Sequence, residues 1–306
     1  MNTVVTSAPA AQIKVHNSTP SFPGIVRGEI FKITRQWTTW ILLVLLLGTI
    51  ILPYIIVSTA PNIIDNLRKA PLNFFYNEME IDLTVLRIFI GIFLLVLTAR
   101  VIGLEYQLGT IRVLLSRGVG RLQLLSAKLL TIVIVALTLF IAGILLDVIL
   151  TCSIVAILMG NLNSLNALTS AFWSNTWLYT LSVLISMGVT ILLAAAVSVV
   201  GRSLSFGLSA SLAWFPADNV GSLIFLMLAF RITRSDFWRN ISAYLLGPNL
   251  NVMPAVLLPA QLKANSIGIT PLVDVDGTHT LLVTLVYAII FAVVAVVLTW
   301  RRDVKE

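Results

Sequence analysis

Apolar residues gather into six long runs parted by short polar stretches. A hydrocarbon core about 30 Å thick is crossed by about 20 apolar residues in a helix. The first run, 40–57, is close to that length, and Pro53 can kink its far end. Residues 58–83 read as a polar loop with Asp65, Glu78, Glu80 and Asp82 against Arg68 and Lys69. The second run is 84–104, with Arg87 and Arg100 near its ends, where long side chains snorkel to the interface. The third, 129–159, is too long for one perpendicular span and must tilt, break or project; Gly143 and Asp147 mark the break point. An Asn-rich loop, 160–176, leads to the fourth run, 177–200, and a minimal Gly201-Arg202-Ser203 turn. The fifth, 204–230, reads WFPADNVGS in its middle. Pro216 removes a backbone donor, and Asp218 and Asn219 are polar at mid-depth, so this helix is broken or faces protein and water. Residues 231–279 mix charges with apolar pieces such as AYLL and MPAVLLPA, too short to span, which fit re-entrant or interfacial helices. The sixth run is 280–300. The expected fold is an all-α polytopic membrane protein with six transmembrane helices.

The N-terminal flank has two parts. Residues 1–23, rich in Ala, Ser, Thr and Pro, read as a disordered cytoplasmic tail. They lack the apolar core of a signal peptide, and their shortage of acids leaves a transit-like leader as the other reading. From 24 to 38, Ile25, Val26, Ile30, Phe31 and Ile33 separate from Arg27, Glu29, Lys32 and Arg35 by helical period. With Trp37 and Trp40 following, this predicts an amphipathic helix in the membrane interface, or else the charged flank of the first span. One transmembrane domain, 24–302, then covers the rest.

Composition agrees with the pattern. Of 306 residues, 58% are hydrophobic and 11% charged, and mean hydropathy is +0.99. Soluble domains are about a quarter charged, so a water-exposed surface could not be covered. The net charge of +7 implies no nucleic acid, because cations of a polytopic protein collect in cytoplasmic loops. Lys14, Arg27, Lys32, Arg35, the cations from Arg100 to Lys128, Arg202, Arg301, Arg302 and Lys305 fall on one side of the six-span arrangement. Arg68, Lys69, Arg231, Arg234, Arg239 and Lys263 fall on the other, among seven acids. That asymmetry puts both termini and the segment 105–128 in the cytoplasm and the segment 231–279 outside.

The chemistry is sparse. No Gly is followed by Lys, so no GxxxxGK[ST] phosphate loop exists. Neither HExxH nor GxSxG occurs, and Cys152, His16 and His279 are too scattered for a metal cluster. No catalytic residue, metal site or cofactor is expected on this chain. Asp147 and Asp218 are the acids inside expected spans. They are proton or substrate sites, or else Asp147 lies near the outer interface and Asp218 caps a helix fragment after Pro216.

The segment 105–128, EYQLGTIRVLLSRGVGRLQLLSAK, sets Arg112, Arg117, Arg121 and Lys128 against one acid, Glu105. Gly109 suits a left-handed helix end, and Thr110 is an N-cap type. Ile111, Val113, Leu114 and Leu115 mix with Arg112, Ser116 and Arg117, and Gly118 and Gly120 allow a tight exit. A short helix parallel to the membrane follows, or a basic loop on lipid head groups.

An acid, Gly-Thr, a short apolar-basic helix, Arg, and Lys opening the next span together resemble the permease subunits of ABC-2-type exporters. Here these are Glu105, Gly109-Thr110, Ile111 to Arg117, Arg121 and Lys128. Many relatives have Pro near Gly118 to Gly120, which this chain lacks. The resemblance, over 24–302, implies a plasma-membrane transporter half that pairs with a second copy or a related permease. Each half would dock an ABC-type nucleotide-binding subunit that holds ATP and Mg. Glu105, Gly109, Thr110, Ile111, Arg112, Leu115, Arg117, Arg121 and Lys128 would be its ATPase-coupling residues. Substrate would pass between the halves along the second and fifth spans, with Pro216, Asp218, Asn219 and Asp147 as path residues. The few fixed charges in the spans favour a lipid-like or hydrophobic peptide cargo. The alternatives are an ion-coupled secondary transporter using Asp147 and Asp218, without a visible inverted repeat, and a non-transporting membrane assembly protein.

Overall fold

The computed structural model describes residues 20–258 and 268–301. Most of the expected 1–23 tail lies outside the described residues, as do Lys14, Lys263, Arg302 and Lys305. Among the described residues every regular element is helical. In order they are α1 (Phe22–Arg35), α2 (Trp37–Ser58), α3 (Ile63–Lys69), α4 (Pro71–Gln107), α5 (Thr110–Ser116), α6 (Arg121–Met159), α7 (Ser170–Gly201), α8 (Leu204–Pro216), α9 (Ser222–Thr233), α10 (Phe237–Ile241), α11 (Leu246–Leu257) and α12 (Gly277–Arg301). Six helices are long and apolar enough to cross a membrane: α2, α4, α6, α7, the continuous α8–α9 and α12.

The centre of the bundle is α4 against α7. In their most apolar stretches 67% of residues are buried, against 17% for α2 and for α8–α9. Leu86, Ile90, Leu94 and Leu97 of α4 and Val183, Met187 and Ile191 of α7 recur at helical spacing and are buried together. Gly143 of α6 lets this layer close, because a Cβ there would lie 2.6 Å from Leu86 Cδ2.

Several boundaries differ from the sequence reading. The stretch 58–83 is not a loop. It contains α3 and the first turns of α4, which Pro71 opens at a position where its missing N–H is harmless. The polar residues here misled because they share a helix with inward-facing apolar ones. Phe75 packs with Ile63 and Leu67 of α3, Val155 of α6 and Phe172 of α7. Asp82 is buried where Tyr54 donates to its Oδ2 at 2.6 Å. The run through Gly143 and Asp147 does not break either. With 39 residues, α6 is about 58 Å long and projects past any 30 Å core. The Asn-rich 160–176 stretch holds a 3₁₀ turn, Asn163–Ala167, and the start of α7, capped by Thr169.

The fifth span also stays continuous. Pro216 cannot donate to the helix ladder, and the chain relaxes through one π turn, Ala217–Gly221, before resuming as α9. The π turn swings Asp218 and Asn219 towards α11. Asp218 Oδ2 accepts from the Gly247 N–H, and Asn219 Oδ1 accepts from Asn251 Nδ2 at 2.8 Å. Gly247 makes the approach feasible, since a Cβ there would sit 2.3 Å from Asn219 Nδ2. Leu246, Leu250 and Met253 bury α11 against α7 and α12. Thus α11 is a short helix returned into the bundle.

Candidate functional site

The segment 105–128 forms a bracket at the ends of four helices. Leu108 closes α4, Gly109 takes a left-handed conformation at φ 67°, and α5 begins at Thr110. Thr110 is therefore the first helical residue rather than the cap, and Gly109 stands at the cap. The Thr110 hydroxyl turns back to the Glu105 carbonyl at 3.5 Å. The helix ends at Arg117, Gly118 is left-handed at φ 84°, and Val119 N–H bonds the Leu114 carbonyl at 3.3 Å. Both left-handed positions are glycines, which carry no Cβ penalty there.

Two faces of α5 differ. Ile111 is buried with Val119 and Leu124, and Ile25 of α1, Tyr106 and Leu114 pack around them. Leu115 and Arg121 line a narrow cleft with Val199 and Arg202 at the end of α7 and Leu298 of α12. Arg121 Nη1 lies 3.4 Å from the Trp300 carbonyl. The outer face carries Arg112, Val113, Ser116 and Arg117, all exposed, with Leu108 beside them. The exposed end thus carries two apolar side chains, Val113 on α5 and Leu108 at the end of α4, among the cations Arg112 and Arg117.

Glu105 and Lys128 do different work. With Glu29 and Lys32 of α1 they close a ring of alternating charge. Lys32 Nζ is 2.7 Å from Glu29 Oε1 and 2.8 Å from Glu105 Oε1; Lys128 Nζ is 2.9 Å from Glu29 Oε2 and 3.0 Å from Glu105 Oε2. Lys128 also donates to the Val101 carbonyl at 3.0 Å. Glu29 and Lys128 are buried. Burial pushes the Glu29 pKa up, but the Lys128 charge and the bonds from Lys32 and Lys128 outweigh it and hold the carboxyl below its usual range. For Lys32 burial pulls downward, while Glu105 and Glu29 carry its pKa above the ordinary ammonium value. The ring pins α1 to the ends of α4 and α6 that bracket α5.

The matched family is the ABC-2 family transporter protein, whose model covers residues 25–215. The chain belongs to that family. Neither a search of curated proteins nor one of solved structures returns a match. The matched region begins inside α1 and ends in α8, so it includes the charge ring and the whole α5 bracket. This ABC-2 chain is thus a multi-pass ABC transporter permease, and its family places it as a membrane subunit.

In this permease the expected path residues do not form one site. Pro216 and Asn219 line a cavity of about 470 Å³ between α4, α7, α8 and α11. Asp218 faces α11 instead, at the Gly247 N–H. Asp147 lies elsewhere, on α6, where Tyr54 of α2 reaches its backbone carbonyl at 3.0 Å. Three residues escaped the sequence reading. Glu29 and Lys32 complete the ring, and the only hint was a lone acid among cations in 24–38. Arg87 does not snorkel: it is 6% exposed, inside the bundle.

Proposed function

We propose that this permease is the transmembrane half of an ATP-driven exporter in the plasma membrane, with both termini in the cytoplasm. A separate ABC-type ATPase, holding ATP and Mg, docks on the outer face of α5. A second copy or a related permease completes the path, and the cargo is hydrophobic, lipid-like or peptide. The observation that carries this reading is α5 itself: a short helix held between left-handed Gly109 and Gly118, apolar and cationic outside, seated on α4 and α6 and facing α7 and α12 across a narrow cleft. A push on α5 is passed directly to α4 and α6, which is what converting ATPase motion into helix motion needs.

The test is whether ATPase activity co-purifies with the tagged chain from its own membranes and whether Val113→Asp removes it. Loss of that activity with unchanged thermal stability is expected. If Val113→Asp and Arg112→Glu both retain full ATPase activity, the docking role is wrong. The ion-coupled alternative would need Asp147 and Asp218 on one pathway. The bond from Gly247 gives Asp218 a structural duty facing α11, while Asp147 lies on α6, so the two acids sit on different elements.

A further inference from the structure

We propose that the cavity between α4, α7, α8 and α11 binds the anionic head group of an amphiphile, with Arg87 as the cation that recognises it. This rests on the permease reading and narrows its cargo to acidic amphiphiles. The cavity, about 470 Å³, has two characters. One wall is polar: Arg87, Thr190, Asn219 and Asn251. The other is apolar, and its Ile88, Ile92 and Val220 remain exposed at the rim, so an alkyl chain can leave sideways.

Arg87 is the unusual group. Its guanidinium is buried, yet its bonds go to neutral oxygens, the Leu250 carbonyl and Asn251 Oδ1 at 3.1 Å. Among the described residues no carboxylate forms an ion pair with it, whereas the buried Lys128 has two. A buried charge is costly unless paired, and a guanidinium has more donors than two bonds use. Its planar fork matches carboxylate and phosphate oxygens. Asn251 is itself fixed, donating to Asn219 Oδ1 at 2.8 Å and to the Ile269 carbonyl at 2.9 Å, so Arg87 is aimed by a rigid partner. Arg87 also lies about 30 Å of helix before α5, so this site is separate from the docking bracket.

The experiment uses the full chain in a neutral maltoside detergent. Thermal stability is followed while dodecyl phosphate, dodecyltrimethylammonium or inorganic phosphate is titrated. Saturable stabilisation by dodecyl phosphate, at least tenfold tighter than by the other two, is expected. Arg87→Gln should abolish that preference and Arg87→Lys should retain part of it. Gly91 lines the cavity and has open space at its Cβ position. Gly91→Leu should therefore block binding while leaving the charge and fold in place, which keeps the test decisive if Arg87→Gln fails to fold. Equal response to the cationic amphiphile, equal response to free phosphate, or unchanged binding in Gly91→Leu would each overturn the proposal. None of these outcomes touches ATPase docking, so the two readings fail separately.

Discussion

Lys128 shows how one side chain can hold three helices. It is 3% exposed and meets Glu29 of α1, Glu105 of α4 and the Val101 carbonyl. Removing one member of a buried ion pair leaves an uncompensated charge, worth about 3–5 kcal/mol. Lys128→Met should destabilise the chain by that order in an SDS unfolding titration. The double variant with Glu29→Gln should lose less than the two single losses added, because each single variant strands the other's partner. Strict additivity would mean the ring is not coupled. The ring also has a pH signature. Glu29 has a lowered pKa, so its contribution is present above its ordinary value of 4.5 and disappears as pH falls through the lower folded-state value. Lys32 is raised, so its contribution holds below 10.5 and fades as pH rises through the higher folded-state value. A spin label at the exposed Arg27→Cys, in a Cys152→Ser background, should stay immobile across neutral pH. It should gain mobility only on acidification below the ordinary carboxyl value of 4.5, as pH falls through the lowered folded-state value of Glu29. Mobility unchanged down to pH 2 would remove the ring as the anchor of α1.

At the level of elements, two glycine positions decide how short helices sit. Gly109 at φ 67° is required by conformation, and Gly247 by space. A β-branched residue at 109 should be strained by about 1–2 kcal/mol, while Asn tolerates the left-handed region. Gly109→Val should therefore uncouple partner ATPase activity from the permease, and Gly109→Asn should keep most of it. Equal behaviour of the two variants would rule out the left-handed turn as the cause. Gly247→Ala drives a methyl into Asn219, an overpacking of about 1–3 kcal/mol, and should lower the thermal midpoint by displacing α11 from the π turn. A midpoint equal to that of the parent protein would mean α11 moves freely. These elements also show what sequence could and could not tell. The α5 bracket was legible because turn chemistry is local: Gly109 and Gly118 lie within ten residues, although the cap fell on Gly109 rather than Thr110. The ring was not, because Glu29 and Lys128 are 99 positions apart and no periodicity links them. Arg87 read as a snorkelling flank because nothing in its own helix announces that Leu250 and Asn251 fold back over it. Residues 58–83 read as a loop because two of their acids, Glu78 and Asp82, lie on the buried face with Phe75, so no apolar stripe marks it.

Across the whole molecule, the unequal burial of the spans points outward. α4 and α7 are enclosed, whereas α2 and α8–α9 bury only 17% of their apolar stretches and present Val44, Leu45, Ile224, Phe225 and Leu228 to the surroundings. In a membrane such faces meet lipid or another permease. The proposed orientation, with the α5 end in the cytoplasm, rests on charge. Arg112, Arg117, Arg121 and Arg202 cluster at the α5 end, while Arg231, Arg234 and Arg239 lie near α10 with Asp236, 3.4 Å from Arg239. Because Asp and Glu count little in the positive-inside rule, the decisive quantity is the cation excess at the α5 end, to which α1 adds Arg27, Lys32 and Arg35. This can be measured directly, because Cys152 is the sole cysteine. In a Cys152→Ser background, Arg117→Cys and Ser235→Cys place single exposed thiols at opposite ends of the bundle. In sealed right-side-out vesicles an impermeant maleimide should label Ser235→Cys at once and Arg117→Cys only after permeabilisation. Inverted vesicles should exchange the two results. Immediate labelling of Arg117→Cys from outside would put α5 beyond the reach of any cytoplasmic ATPase, and the docking role would fall with it. Labelling of both thiols before permeabilisation, in vesicles verified as sealed, would point instead to two coexisting orientations, which the thirteen-to-six division of cations read from the sequence argues against.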